Sequence, residues 1–93
     1  MKRNKEEIIV NVLEAIDHKI NRISSIMKNA NLLNASLVKK YLDNLIKSGL
    51  IEEKNGEYTL TDRGREVLEL LREKRKLEVE LELLLNEITK LIG

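Results

Sequence analysis

The stretch from Thr61 to Gly93 constrains everything else in the chain. It contains no proline, and apolar or long side chains fall at Val67, Leu70, Lys74, Leu77, Leu81, Leu84, Ile88 and Leu91. Steps that alternate between three and four residues define a heptad, with Val67 at position a and Leu70 at position d. A helix of about 31 residues runs about 46 Å at 1.5 Å per residue. The roughly 60 residues ahead of it are too few to cover that length. Such a helix needs a partner, and the simplest partner is a second copy of itself.

Those preceding residues hold no Phe or Trp and two Tyr, so their core must be Leu, Ile and Val. Asn4 reads as an N-cap, with Glu7 three residues on as in a capping box. Ile8, Ile9, Val12, Leu13, Ala15 and Ile16 then mark an amphipathic helix. Lys19–Ile20–Asn21 reads as a short strand fragment. A second helix starts at Asn21 or Arg22, places Ile23, Ile26 and Met27 on one side, and ends near Asn29. Residues 30–33 read as a turn. Asn34 caps a third helix, with Leu37 or Val38, Tyr41, Leu42, Leu45 and Ile46 as its apolar stripe and Gly49 as its C′ residue. Asn55–Gly56 between two strand-like runs predicts a hairpin with a type I′ turn. Thr61 caps the long helix. Gly64, in its first turn, costs about 1 kcal/mol against Ala and implies a close approach to another backbone. The predicted fold is mainly α: a winged helix-turn-helix domain of three helices and a β-hairpin wing over residues 1–61, then a dimerising coiled-coil helix over 62–93.

Charge narrows the function classes. The totals of 17 basic and 16 acidic residues nearly cancel, so only a local pattern can argue for nucleic acid. The absence of Cys rules out disulfides and thiolate chemistry. No apolar run approaches a membrane span of about 18 residues. The start, Met1 to Glu7, leads into an amphipathic pattern and does not read as a signal peptide. A soluble cytoplasmic protein is expected. His18 stands alone, and the sequence shows neither a Gly-rich phosphate loop nor a nucleophile–base set. It reads as a helix-end residue pairing with a carbonyl. The expectation is a non-enzymatic protein with no cofactor, metal, small-molecule substrate or membrane partner.

One local pattern does suit DNA. The outer face of the third helix carries Ser36, Lys39, Lys40, Asp43, Asn44 and Lys47. As the last helix of a winged domain it would enter the major groove, with lysines neutralising phosphate. Arg3 in the basic N-terminal arm, and Arg22, Lys28 and Asn31 around the turn before the third helix, are further candidate contacts. Tyr41 is expected partly in the core and Tyr58 packed on the wing.

The run Tyr41–Leu42, Leu45–Ile46, Gly49–Leu50–Ile51, then Tyr58, Leu60–Thr61, Gly64, Glu66 and Leu68, is of a kind seen in many prokaryotic winged-helix proteins. With Ile23, Ile26–Met27 and Ala30–Asn31–Leu32 ahead of it and the long helix behind, the chain resembles the small crenarchaeal chromatin-type DNA-binding proteins of the ten-kilodalton "a" class. The resemblance implies a nucleoid-associated homodimer, joined by an antiparallel coiled coil, that binds double-stranded DNA with little sequence preference. It also places Ser36, Lys39, Lys40 and Asn44 on the groove-reading helix. The wing departs from that pattern: Glu52, Glu53 and Glu57 outnumber Lys54. A wing that touches phosphate should be basic. A module that binds a protein partner through its acidic wing is therefore the alternative.

The register also bears on direction. In a parallel pair Lys74 would face its own copy inside the seam, and Glu73 would meet Glu78 of the second copy. Centred on Val79 and run antiparallel, Val67 layers against Leu91, Leu70 against Ile88, Lys74 against Leu84 and Leu77 against Leu81. Lys74 can then snorkel toward Glu80 or Glu87 of the other chain, and the basic run Arg72–Lys76 lies beside the acidic run Glu78–Glu87. Leu71 faces Leu85 along the e edge. Opposing this, Glu73 faces Glu87, an exposed repulsion worth under about 1 kcal/mol. Each buried Leu or Ile contributes about 1.5–3 kcal/mol, so the antiparallel form is favoured.

Overall fold

The computed structural model describes residues 4–29 and 34–93. Helix α1 spans Lys5–Asp17, α2 Ile23–Asn29 and α3 Ala35–Lys47; strands β1 (Ile51–Lys54) and β2 (Glu57–Leu60) form the hairpin, and α4 runs Asp62–Ile92. The three predicted caps are present. Asn4 Oδ1 accepts from the Glu7 amide at 2.8 Å, Asn34 Oδ1 from the Leu37 amide at 3.1 Å, and Thr61 Oγ1 from the Gly64 amide at 3.0 Å. Each satisfies an amide that the helix cannot bond internally. Replacing Asn34 by Ala is expected to cost about 1 kcal/mol, read as a lowered midpoint in urea with an unchanged slope.

The predicted strand fragment at Lys19–Asn21 does not form. α1 closes in a Schellman turn, with the Ile20 amide on the Ala15 carbonyl at 2.9 Å and the Lys19 amide on Ile16 at 3.0 Å. Lys19 takes the left-handed conformation, φ 63°, so the backbone turns where a strand would extend. One ladder-like bond survives, from the Tyr58 amide to the Asn21 carbonyl at 2.8 Å. The same closure ends α3 conventionally, with Gly49 at φ 76° and the Leu50 amide on the Leu45 carbonyl at 3.0 Å.

The hairpin pairs Ile51 with Leu60 and Lys54 with Glu57, around Asn55 and Gly56 at φ 54° and 78°. Positive φ at both positions is the type I′ turn read from Asn-Gly. The core gathers Val12, Leu13, Ala15, Ile16, Ile26, Val38, Leu42, Leu45, Ile51 and Tyr58. Tyr58 is buried, and burial followed by the Glu53 carboxylate pushes its phenol up to about 12. Tyr41 is half-buried, packed at the core's margin.

The core runs past residue 61. Leu68 is fully buried in it, and Val67 and Leu71 pack against it. Gly64 lies against Leu50: a Cβ there would fall on the Leu50 carbonyl oxygen. Two ionic clusters hold the root of α4 to α1. Arg72 donates to both Glu14 oxygens at 2.8 Å, to Asp17 at 3.0 Å and to Glu69 at 2.6 Å. Its guanidinium holds the Glu14 carboxyl below the usual carboxylate range. Lys74 reaches Glu6 at 2.6 and 2.7 Å, which raises its pKa. Beyond Lys74, α4 leaves the domain. The radius of gyration is 16.1 Å, where a compact chain of this length has about 12 Å.

Arg72 and Lys74 thus have partners within their own chain, where the register argument had assigned them to a second copy. The reason lies in α1. Glu6, Glu14 and Asp17 share one stripe at helical spacing, and that stripe faces α4. The acidic stripe was readable in the sequence but unassigned there.

Candidate nucleic-acid interface

α3 buries Val38, Leu42 and Leu45 and leaves Ser36, Lys39, Lys40, Asp43, Asn44 and Lys47 exposed. At 3.6 residues per turn, Ser36, Lys40, Asp43 and Lys47 run down the centre of the outer face. Lys39 lies on one flank with Ile46, and Asn44 lies on the other. Ile46 lines the groove beneath the wing, whereas Asn44 lines a groove beside α1 and α4. The structure therefore brings Ser36, Lys39, Lys40 and Lys47 onto one surface and sets Asn44 at its far margin. Ion pairs among the described residues use His18, Arg22, Arg72 and Lys74, none of them on α3. The α3 lysines are thus free of carboxylate partners among those residues. Three lysines against one aspartate leave the face positive.

Arg22 takes a different position from the one its type suggested. It reaches across to the wing, with Nη2 3.4 Å from Glu57 Oε1. Both side chains are about half exposed or more, so the pair is worth little in water. Its effect is to neutralise one of the wing's three carboxylates. Lys28 sits exposed in the last turn of α2. Arg3 and Asn31 lie outside the described residues.

The wing and the C-terminal end of α3 enclose a groove of about 720 Å³, lined by Ile46, Ile51, Glu52, Glu53, Lys54 and Glu57 among others. Its charge disfavours phosphate. Among the described residues, one set of possible metal ligands comes together, Glu14, Asp17 and His18, within 4.8 Å. The Arg72 guanidinium already lies on both carboxylates, and His18 Nδ1 sits 2.8 Å from the Glu14 carbonyl. The carboxylates of the cluster are thus engaged by Arg72, and His18 pairs with a main-chain carbonyl at the end of α1, as read from the sequence. No helix among the described residues is long and apolar enough to cross a membrane.

Helices α2 and α3 packed together, α1 across them, and a two-stranded wing behind α3 define a winged helix-turn-helix domain. The chain belongs to the winged helix-turn-helix family, whose family model matches residues 2–79. Among solved structures it is similar to Sso10a-2, described as a DNA-binding protein from Sulfolobus solfataricus, with a TM-score of 0.79 at 24% identity over 98% of each chain. That match bears out, at the level of the fold, the resemblance read from the core motifs. It extends over the long C-terminal helix as well as the winged domain. No curated protein matches the sequence.

Proposed function

We propose that this chain is a homodimeric, non-enzymatic DNA-binding protein of low sequence specificity, acting in chromatin or transcription. The carrying observation is the outer face of α3, where Lys39, Lys40 and Lys47 are exposed with no carboxylate partner among the described residues. Lysines so placed supply non-specific affinity by releasing counterions from phosphate. Ser36 adds a short hydrogen-bonding group on the same surface. The similarity to a Sulfolobus DNA-binding protein supports this reading. So does the exposed seam of α4, which suits an antiparallel second copy and would set two winged domains at opposite ends of a rod.

A second reading rests on the acidic groove at the wing, which suits a basic protein segment better than a phosphate backbone. The two separate in one experiment. Binding of a generic duplex is measured over a salt series, with the native chain and with Lys39→Ala/Lys40→Ala. DNA contact through α3 predicts a steep fall of affinity with salt in the native chain. It also predicts a slope of log K against log salt shallower by about two per bound winged domain in the variant, at roughly 0.9 per phosphate contact. Absence of binding at low salt, or a slope indifferent to the lysines, favours the protein partner.

A further inference from the structure

The proposed seam accounts for the a and d positions of α4, but not for its e edge. A two-stranded coiled coil needs only a and d, yet e positions 71, 85 and 92 hold Leu71, Leu85 and Ile92. Ile92 is 82% exposed and Leu85 54%. Neither faces the core of its own domain, because α4 carries Ile92 about 37 Å along the rod from Val67 at 1.5 Å per residue. A surface that would cover them exists on the winged domain. Between α1, the end of α3 and the root of α4 lies a groove of about 740 Å³ lined by Ile9, Leu45, Leu50, Val67 and Leu71, with Lys5, Glu6 and Lys47 as its charged residues.

Val67, at position a, belongs to both the groove and the seam, and Leu71, on the e edge beside it, lines the groove. A helix lying antiparallel in the seam must therefore pass over the groove. In the register centred on Val79, Leu91 of the second copy reaches the level of Val67. Ile92 then comes to that level on the e side, the side on which Leu71 opens into the groove. Leu85 of the second copy comes opposite Leu71. The surplus apolar residues and the open apolar groove fall at the same height and on the same side.

We infer that this groove is the socket for the C-terminal turn of α4 from a second copy, seating Ile92 and its neighbours against Ile9, Leu45 and Leu50. The inference rests on the antiparallel dimer proposed above and deepens it: the dimer is held at three places, by the central seam and by a socket at each end. Asn44, Lys47 and Ser48 also line the groove, so the seated tip braces the C-terminal end of the helix proposed to contact DNA. Assembly and the set of the DNA-facing helix are thereby coupled.

The cysteine-free chain allows a direct test. Two double variants are oxidised and run on non-reducing gels, alongside sedimentation of each. Val67→Cys/Leu91→Cys reports the seam register, and Ile9→Cys/Ile92→Cys reports the socket. A disulfide needs Cα atoms within about 7 Å, which rules out a bond within one chain in either variant. Covalent dimer in both is expected, with Ile92→Cys alone giving none. Cross-linking through the seam pair but not the socket pair overturns the socket and leaves the antiparallel dimer standing. Failure of both pairs in a chain that sediments as a dimer overturns the register and the socket together. A monomer in sedimentation for the native chain overturns the dimer itself.

Discussion

Leu77→Lys combined with Leu84→Lys is expected to sediment as a monomer, with its winged domain still folded, at concentrations where the native chain forms the proposed dimer. Leu70, Leu77, Leu81, Leu84, Ile88 and Leu91 are each about half exposed or more along α4. Full burial of such a side chain contributes about 1.5–3 kcal/mol, and their own helix already supplies part of it. Closing the seam therefore yields on the order of 1 kcal/mol per side chain, summed over both copies. That total is comparable with the roughly 4–15 kcal/mol lost to association, so the proposed dimer has little to spare. The substitutions remove four apolar side chains per dimer. Leu84→Lys also sets a second ammonium opposite Lys74 of the other chain, in two symmetry-related layers. Neither position touches the core, which ends on α4 at Leu68 and Leu71, so near-native helicity should survive in circular dichroism. A dimer mass unchanged by both substitutions would remove the heptad seam as the interface.

How far the sequence could be read depended on how local each feature is. The caps at Asn4, Asn34 and Thr61 and the Asn55–Gly56 turn are decided within four residues, and all four formed as predicted. The end of α1 was misread because Lys19 stands where glycine is usual. The signal for a left-handed closure was absent, and Ile20 resembled a strand residue. The α3 face was legible because helical spacing alone decides which side chains point outward. Its flanks were not: whether Lys39 or Asn44 lies toward the wing depends on how α1, α4 and the hairpin surround the helix. Ion pairs between distant elements of the same chain were the least legible. Arg72 and Lys74 sit in a heptad that assigns them to a second copy. The acidic stripe that claims them lies 55 to 68 residues away on α1, and no periodicity links the two.

Gly64→Ala sets two local arguments against each other, and their magnitudes decide the outcome. Helix propensity alone favours alanine by about 1 kcal/mol in an α-helix. Packing opposes it, because the new Cβ would meet the Leu50 carbonyl oxygen and carbon. That carbonyl cannot simply swing aside. It accepts the Thr61 amide at 3.0 Å, while Thr61 Oγ1 donates to the Gly49 carbonyl at 2.6 Å. The end of α3, the start of the wing and the cap of α4 are thus tied at one point, and relief of the clash must move at least one of them. Overpacking against a fixed neighbour costs about 1–3 kcal/mol or more, and a lost buried hydrogen bond about 1 kcal/mol. The net expectation is a loss of about 2 kcal/mol, or roughly 8–16 °C in midpoint for a domain of this size. The measurement belongs in the Leu77→Lys/Leu84→Lys background, where stability does not depend on protomer concentration. Alanine that proves neutral or stabilising there would mean that α4 does not approach Leu50 this closely. The lever by which α4 fixes the wing relative to α3 would then be absent.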